Sequence, residues 1–127
     1  MSYAALAQYR NTSVYGEAQE ASPHKLIEML YAGLLGRLAA ARGGIARGEA
    51  GAKARALSSA LEIVQHLKMN LDQAQGGAIA RNLDALYSYM TARILHANLK
   101  NDVTAIDEMS DLVRRLKSAW DAMPVPH

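Results

Sequence analysis

Leu26, Ile27, Leu30, Leu34, Leu38, Ala41 and Ile45 recur at intervals that place side chains on one face of an α-helix. Three further stripes follow: Leu57, Leu61, Val64, Leu67 and Leu71; then Ile79, Leu83, Leu86, Tyr87, Met90 and Ile94; then Ile106, Met109, Val113, Leu116 and Trp120. No segment shows the period-two alternation of a strand. The breaks between stripes fit helix ends. Ser22 is a favoured N-cap and Pro23 suits the first helical position. Gly43, Gly44, Gly48 and Gly51 blur the end of the first helix, and the second stops before Gly76-Gly77, whose backbone freedom suits a turn. The third ends near Asn98, Asn101 or Asp102 can cap the fourth, and Pro124 and Pro126 close the chain. Long helices joined by short connections must run antiparallel, so the pattern predicts an all-α, up-and-down four-helix bundle over residues 22–123.

Residues 1–21 read differently. Tyr3, Leu6 and Tyr9 lie three apart, with Val14 and Tyr15 beyond, enough for a short amphipathic helix. Isolated helices under ~12 residues are marginal in water. The segment is therefore expected to be a mobile N-terminal arm, ordered only where the bundle offers it a groove, with 124–127 as a short tail.

Composition narrows the function. Half of the 127 residues are hydrophobic, enough for one packed domain, and the absence of cysteine excludes disulfides, thiolate metal sites and cysteine nucleophiles. No apolar run approaches the ~20 residues needed to span a bilayer, and the opening MSYAALAQYRN lacks a basic flank and an unbroken apolar core. A cytoplasmic protein without membrane insertion is expected. The net charge of +2 and pI near 9.0 do not make a nucleic-acid surface, because the basic residues are scattered. Arg37, Arg42 and Arg47 recur every fifth residue, while Arg114, Arg115 and Lys117 interleave with Leu and Val, as solvated outer-face charges do.

The residues present no reaction centre. The Glu-x-x-His pairs of di-metal bundles are absent; His24 with Glu28 and Glu62 with His66 are one residue too widely spaced and read as exposed i, i+4 pairs. Gly33-Leu34-Leu35-Gly36 lies within a helix, where small residues permit close packing, and no glycine loop leads into Lys-Ser or Lys-Thr. His96 reads as a solvated residue favoured by a helix C-terminus, and His127 ends the chain. No enzyme and no cofactor are expected.

What remains is surplus apolar surface. Leu26, Ile27, Met29, Leu30, Tyr31, Leu34, Leu35 and Leu38 occupy roughly two thirds of the first helix's wheel, whereas packing on one side needs an arc of ~100° or somewhat more. Met69 and Tyr89 also lie off their stripes. These features suggest a binding module with an apolar groove and an arm able to occupy it.

Two segments resemble a known family, the flagellin-specific export chaperones of the flagellar type III secretion system (FliS). Ser22-Pro23-His24-Lys25-Leu26-Ile27-Glu28-Met29-Leu30-Tyr31-Ala32-Gly33 resembles the family's A-S-P-x-x-L-I-x-M-L-Y-D-G. Gly76-Gly77 followed by Asn82-Leu83-Asp84-Ala85-Leu86-Tyr87-Ser88-Tyr89-Met90 resembles G-G-x-x-A-x-N-L-x-x-L-Y-x-Y-M, and Ala97 to Asp102 and Ala119-Trp120 also fit. The resemblance implies a cytoplasmic chaperone that binds the disordered C-terminal segment of flagellin, prevents premature polymerisation and delivers it to the export gate. It casts Asn82, Leu86 and Tyr89 as client contacts, Tyr87 as core, and Leu6, Tyr9, Asn11 and Val14 as the switch segment of the arm. Two positions depart from the family pattern: Ala32 replaces an acidic residue, and Glu20 stands where threonine is usual. The rival reading is a structural bundle that self-associates through the same apolar groove.

Overall fold

A computed structural model describes residues 22–123, apart from the side chains of residues 73–75. These residues form four helices: α1 (Pro23–Ala46), α2 (Ala50–Met69), α3 (Gln73–Lys100) and α4 (Val103–Ala122). Each packs against its neighbours in a closed ring, α1 on α2 and α4, and α3 on α2 and α4. The up-and-down bundle expected from the stripes is the fold observed. Residues 1–21 and 124–127, including Leu6, Tyr9, Asn11 and Val14, lie outside the described residues.

Local sequence explains the helix ends. The Ser22 hydroxyl accepts the Lys25 amide at 3.2 Å, with Pro23 opening α1. Gly48 closes the α1–α2 connection in the left-handed region, φ 69°. Asn101 takes the same region, φ 52°, at the end of α3, where the Asp102 amide reaches back to the Ala97 carbonyl. Asp102 then caps α4, its carboxylate accepting the Ala105 amide at 3.2 Å. Both candidate caps are thus used, one to end a helix and one to begin the next. Gly76-Gly77 is not the inter-helix turn: α2 stops at Met69, and Gly77, at φ 54° and ψ −126°, instead kinks the start of α3. That backbone conformation is open essentially only to glycine.

The core runs the length of the ring, from Leu30, Leu34 and Leu38 on α1 through Leu57, Val64 and Leu67 to Met90, Ile94, Ile106, Met109 and Val113. Across its diagonal the hydroxyls of Tyr31 and Tyr87 meet at 2.6 Å, and burial pushes both phenols up. Tyr87 is core, as the family resemblance implied.

Several expectations are corrected. Most of the wide apolar arc of α1 is covered by its siblings: Leu30, Tyr31, Leu34 and Leu38 are buried, Leu26, Ile27 and Leu35 are half-buried against the core, and Met29 is half-buried. A helix held between two neighbours hides a broader arc than one packed on a single side. Ile79 leaves its stripe, being 72% exposed, and Ala80 takes the inward position. A 3.6-residue helix drifts against a 3.5-residue seam, so one wheel direction does not hold from end to end.

His24 is buried rather than exposed, stacked on Trp120 with ring centroids 4.9 Å apart; the indole N–H donates to the His24 carbonyl at 2.8 Å. Glu28 pairs with Lys25 instead. Glu62 and His66 are half-buried, and desolvation holds the His66 imidazole below its usual range. The scattered arginines are engaged as well: Arg37 donates to Ser59 at 2.9 Å, Arg42 grips both oxygens of Asp107, and Arg47 pairs with Glu49.

Close helix approach occurs at Gly44, not at Gly33 or Gly36. A Cβ on Gly44 would lie 2.9 Å from the Lys53 backbone nitrogen, whereas one on Gly36 would meet nothing within 4 Å. Gly44→Ala should therefore destabilise the bundle by about 1–3 kcal/mol through overpacking. Gly36→Ala should stabilise it by about 0.5–1 kcal/mol through helix propensity. Urea denaturation of the two variants checks the opposite signs; equal shifts would refute the assignment.

Candidate client-binding face

The outward side of α3 is the distinctive surface. Its charged residues within the bundle-spanning part turn toward the flanking helices. Asp84 pairs with Lys68 of α2 at 3.6 Å, and Arg93 with Glu108 of α4 at 3.0 Å. Thr91 accepts from Gln65 of α2 at 3.3 Å, and His96 bonds the Asp102 carboxylate at 3.0 Å rather than standing solvated. That leaves Asn82, Ala85, Ser88, Tyr89, Ala92, Leu95, Asn98 and Leu99 exposed, while the two formal charges between them, Asp84 and Arg93, lie at the flanks of the face and are paired across the seams. At 1.5 Å per residue this uncharged face is ~27 Å long. On α4, by contrast, Asp107, Glu108, Asp111, Arg114, Arg115 and Asp121 are all exposed.

Asn82, Leu86 and Tyr89 fall on one edge of this face, spaced four and three apart. Asn82 is exposed, Leu86 is half-buried against the core, and Tyr89 is 44% exposed. The Tyr89 hydroxyl is not simply hydrated: it donates to Glu108 Oε2 at 2.8 Å, and that bond raises the phenol's pKa. The second Glu108 oxygen accepts from Arg93 Nε. Tyr89 therefore sits over the α3–α4 seam with its hydroxyl occupied and its ring accessible.

Leu95 and Leu99, 54% and 78% exposed, form the opposite edge of the face, toward α2. Ala85 and Ala92 lie between the two edges on the helical wheel and keep the middle low, while Ser88 falls between Leu95 and Leu99. Sequence reasoning passed over Leu95 although its signal was present: two leucines at i, i+4, turned away from the Leu83–Tyr87–Met90–Ile94 stripe. Met69 and Ile79 are exposed where α2 leads into α3. Among the described residues no group of three or more His, Asp or Glu side chains is placed to hold a metal ion. No described helix is long and apolar enough to cross a membrane.

Fold and surface together define a class of protein, a small antiparallel four-helix bundle that carries an uncharged face on one helix. The family model described as flagellar protein FliS matches residues 2–126. The flagellar secretion chaperone FliS of Salmonella typhimurium is 46% identical over 113 residues, 88% of this chain and 84% of that protein. The flagellar secretion chaperone FliSB of Pseudomonas aeruginosa is 41% identical over 119 residues, 94% of each chain. FliS of Vibrio cholerae is 40% identical over 119 residues, 94% of this chain and 88% of that one. The chain belongs to the FliS family of flagellar secretion chaperones.

Proposed function

We propose that the outer face of α3 receives the disordered C-terminal segment of flagellin as an amphipathic helix, masks it from polymerising and presents it at the flagellar export gate. The observation that carries this reading is the outward side of α3 between Asn82 and Leu99, where Asp84 and Arg93 turn to the flanking helices, on a bundle whose α4 surface is densely charged. Helix-in-groove recognition lays the apolar side of a guest helix on such a surface. Asn82, Leu86 and Tyr89 form one edge of the contact, and Leu95 and Leu99 extend it.

The energetics are adequate. Ordering a disordered client costs about 2–5 kcal/mol or more. Fully burying a large apolar side chain contributes about 1.5–3 kcal/mol, so completing the burial of Leu86, Tyr89, Leu95 and Leu99 can exceed that cost. The arm, residues 1–21, covers the same face between clients, with Leu6, Tyr9, Asn11 and Val14 as its contacts. The chaperone works in the cytoplasm, where flagellin is made, and needs no cofactor. Ala32, exposed on α1, removes the acidic contact that the family pattern would place there.

Titrating the full chain with a synthetic flagellin C-terminal peptide tests the reading. Binding with a negative heat-capacity change and helix gained by the peptide is expected, and Tyr89→Ala should weaken it while leaving the melting transition in place. A chain that ignores the peptide yet grows in mass with concentration would overturn the proposal in favour of self-association.

A further inference from the structure

The structure assigns Glu108, on α4, a positioning role for the client surface on α3: it fixes the Tyr89 ring across the α3–α4 seam so that the ring, and not the hydroxyl, faces the guest. This rests on the reading of α3 as the client face. Three contacts carry it. Glu108 Oε2 accepts the Tyr89 hydroxyl at 2.8 Å, and Oε1 accepts Arg93 Nε at 3.0 Å. Tyr89 and Arg93 stand one helical turn apart, so a single carboxylate spans both. Arg93 is anchored in turn, its other end 4.0 Å from Asp102, which is held by the Ala105 amide and by His96. The chain of contacts runs from an exposed aromatic ring to the cap of a neighbouring helix.

An exposed tyrosine without such an anchor samples several rotamers and must be ordered when a client arrives. Immobilising one side chain weakens association by about two- to tenfold, and a ring already held in place avoids that loss. The anchor also leaves the hydroxyl without its proton to offer, so the client side of Tyr89 selects for apolar groups rather than for an acceptor. Glu108 touches no client itself.

The test is a double-mutant cycle on the full chain with the flagellin C-terminal peptide as probe. Glu108→Ala and Tyr89→Phe should each lower affinity about two- to tenfold. The double variant should be no weaker than either single one, because both remove the same constraint. Glu108→Gln, which keeps an acceptor for the hydroxyl, should recover part of the loss. Without peptide, NMR of ring-labelled tyrosine should show the Tyr89 ring gaining motion in Glu108→Ala. Additive losses, an unchanged ring, or wild-type affinity in Glu108→Ala and Tyr89→Phe beside a weakened Tyr89→Ala would overturn the inference and leave the client face standing. Wild-type affinity in Tyr89→Ala and Leu86→Ala as well would overturn both.

Discussion

Tyr87→Ala should remove about 3–5 kcal/mol of stability, the range for emptying the site of a large buried aromatic. The ring is 2% exposed and reaches across the bundle to Tyr31, so its loss opens the core where α1 and α3 face each other without direct helix contact. Tyr87→Phe separates the two contributions. It preserves the packing but strands the Tyr31 hydroxyl in the core, which costs about 1–3 kcal/mol. Adding Tyr31→Phe should then restore most of that loss, since neither ring carries an unmet polar group. Urea denaturation of the four proteins reads the cycle; a double variant no better than Tyr87→Phe would show that packing, not the hydroxyl pair, sets the cost. Because Tyr89 lies two residues away and faces outward, its variants should report on binding where those of Tyr87 report on folding.

The largest effect on client binding is expected from a charge placed in the middle of the uncharged face. Ala85 is exposed, so Ala85→Glu keeps a good helix former and disturbs no packing. Under a docked apolar helix, however, the carboxylate would lose its water, and the exposed Arg81 one turn earlier, paired to it only at the surface, does not offset a desolvation penalty of several kcal/mol. Flagellin-peptide affinity should drop at least about a hundredfold, equivalent to ~2.7 kcal/mol, with the thermal transition unchanged. Asp111→Lys on the charged surface of α4 is the control and should bind as the wild type does. Equal affinity for wild type and Ala85→Glu in calorimetry would remove α3's outer face from the client contact.

Much of this was legible in the residues. The four stripes, the Ser22-Pro23 start and the Asn101-Asp102 junction express local rules, helical periodicity and capping, that act over a few residues. The inward Tyr87 and outward Tyr89 followed from the same periodicity together with the family motif. The unexposed His24, the close approach at Gly44 and the pairing of His96 with Asp102 were not legible, because each depends on where a second helix passes.

The sequence by itself determined the helices, their antiparallel order and the family, since these are encoded in spacing and in motifs that each segment carries alone. Only the tertiary structure decided which helix keeps an apolar exterior. The wheel favoured α1, with its broad arc of leucines, but two neighbours cover most of that arc. On α3 the flanking helices draw Asp84 and Arg93 sideways to Lys68 and Glu108, which leaves Ala85, Ala92, Leu95 and Leu99 on the outer side between the two seams. A wheel describes one helix in isolation, whereas exposure is the property of a helix among its neighbours.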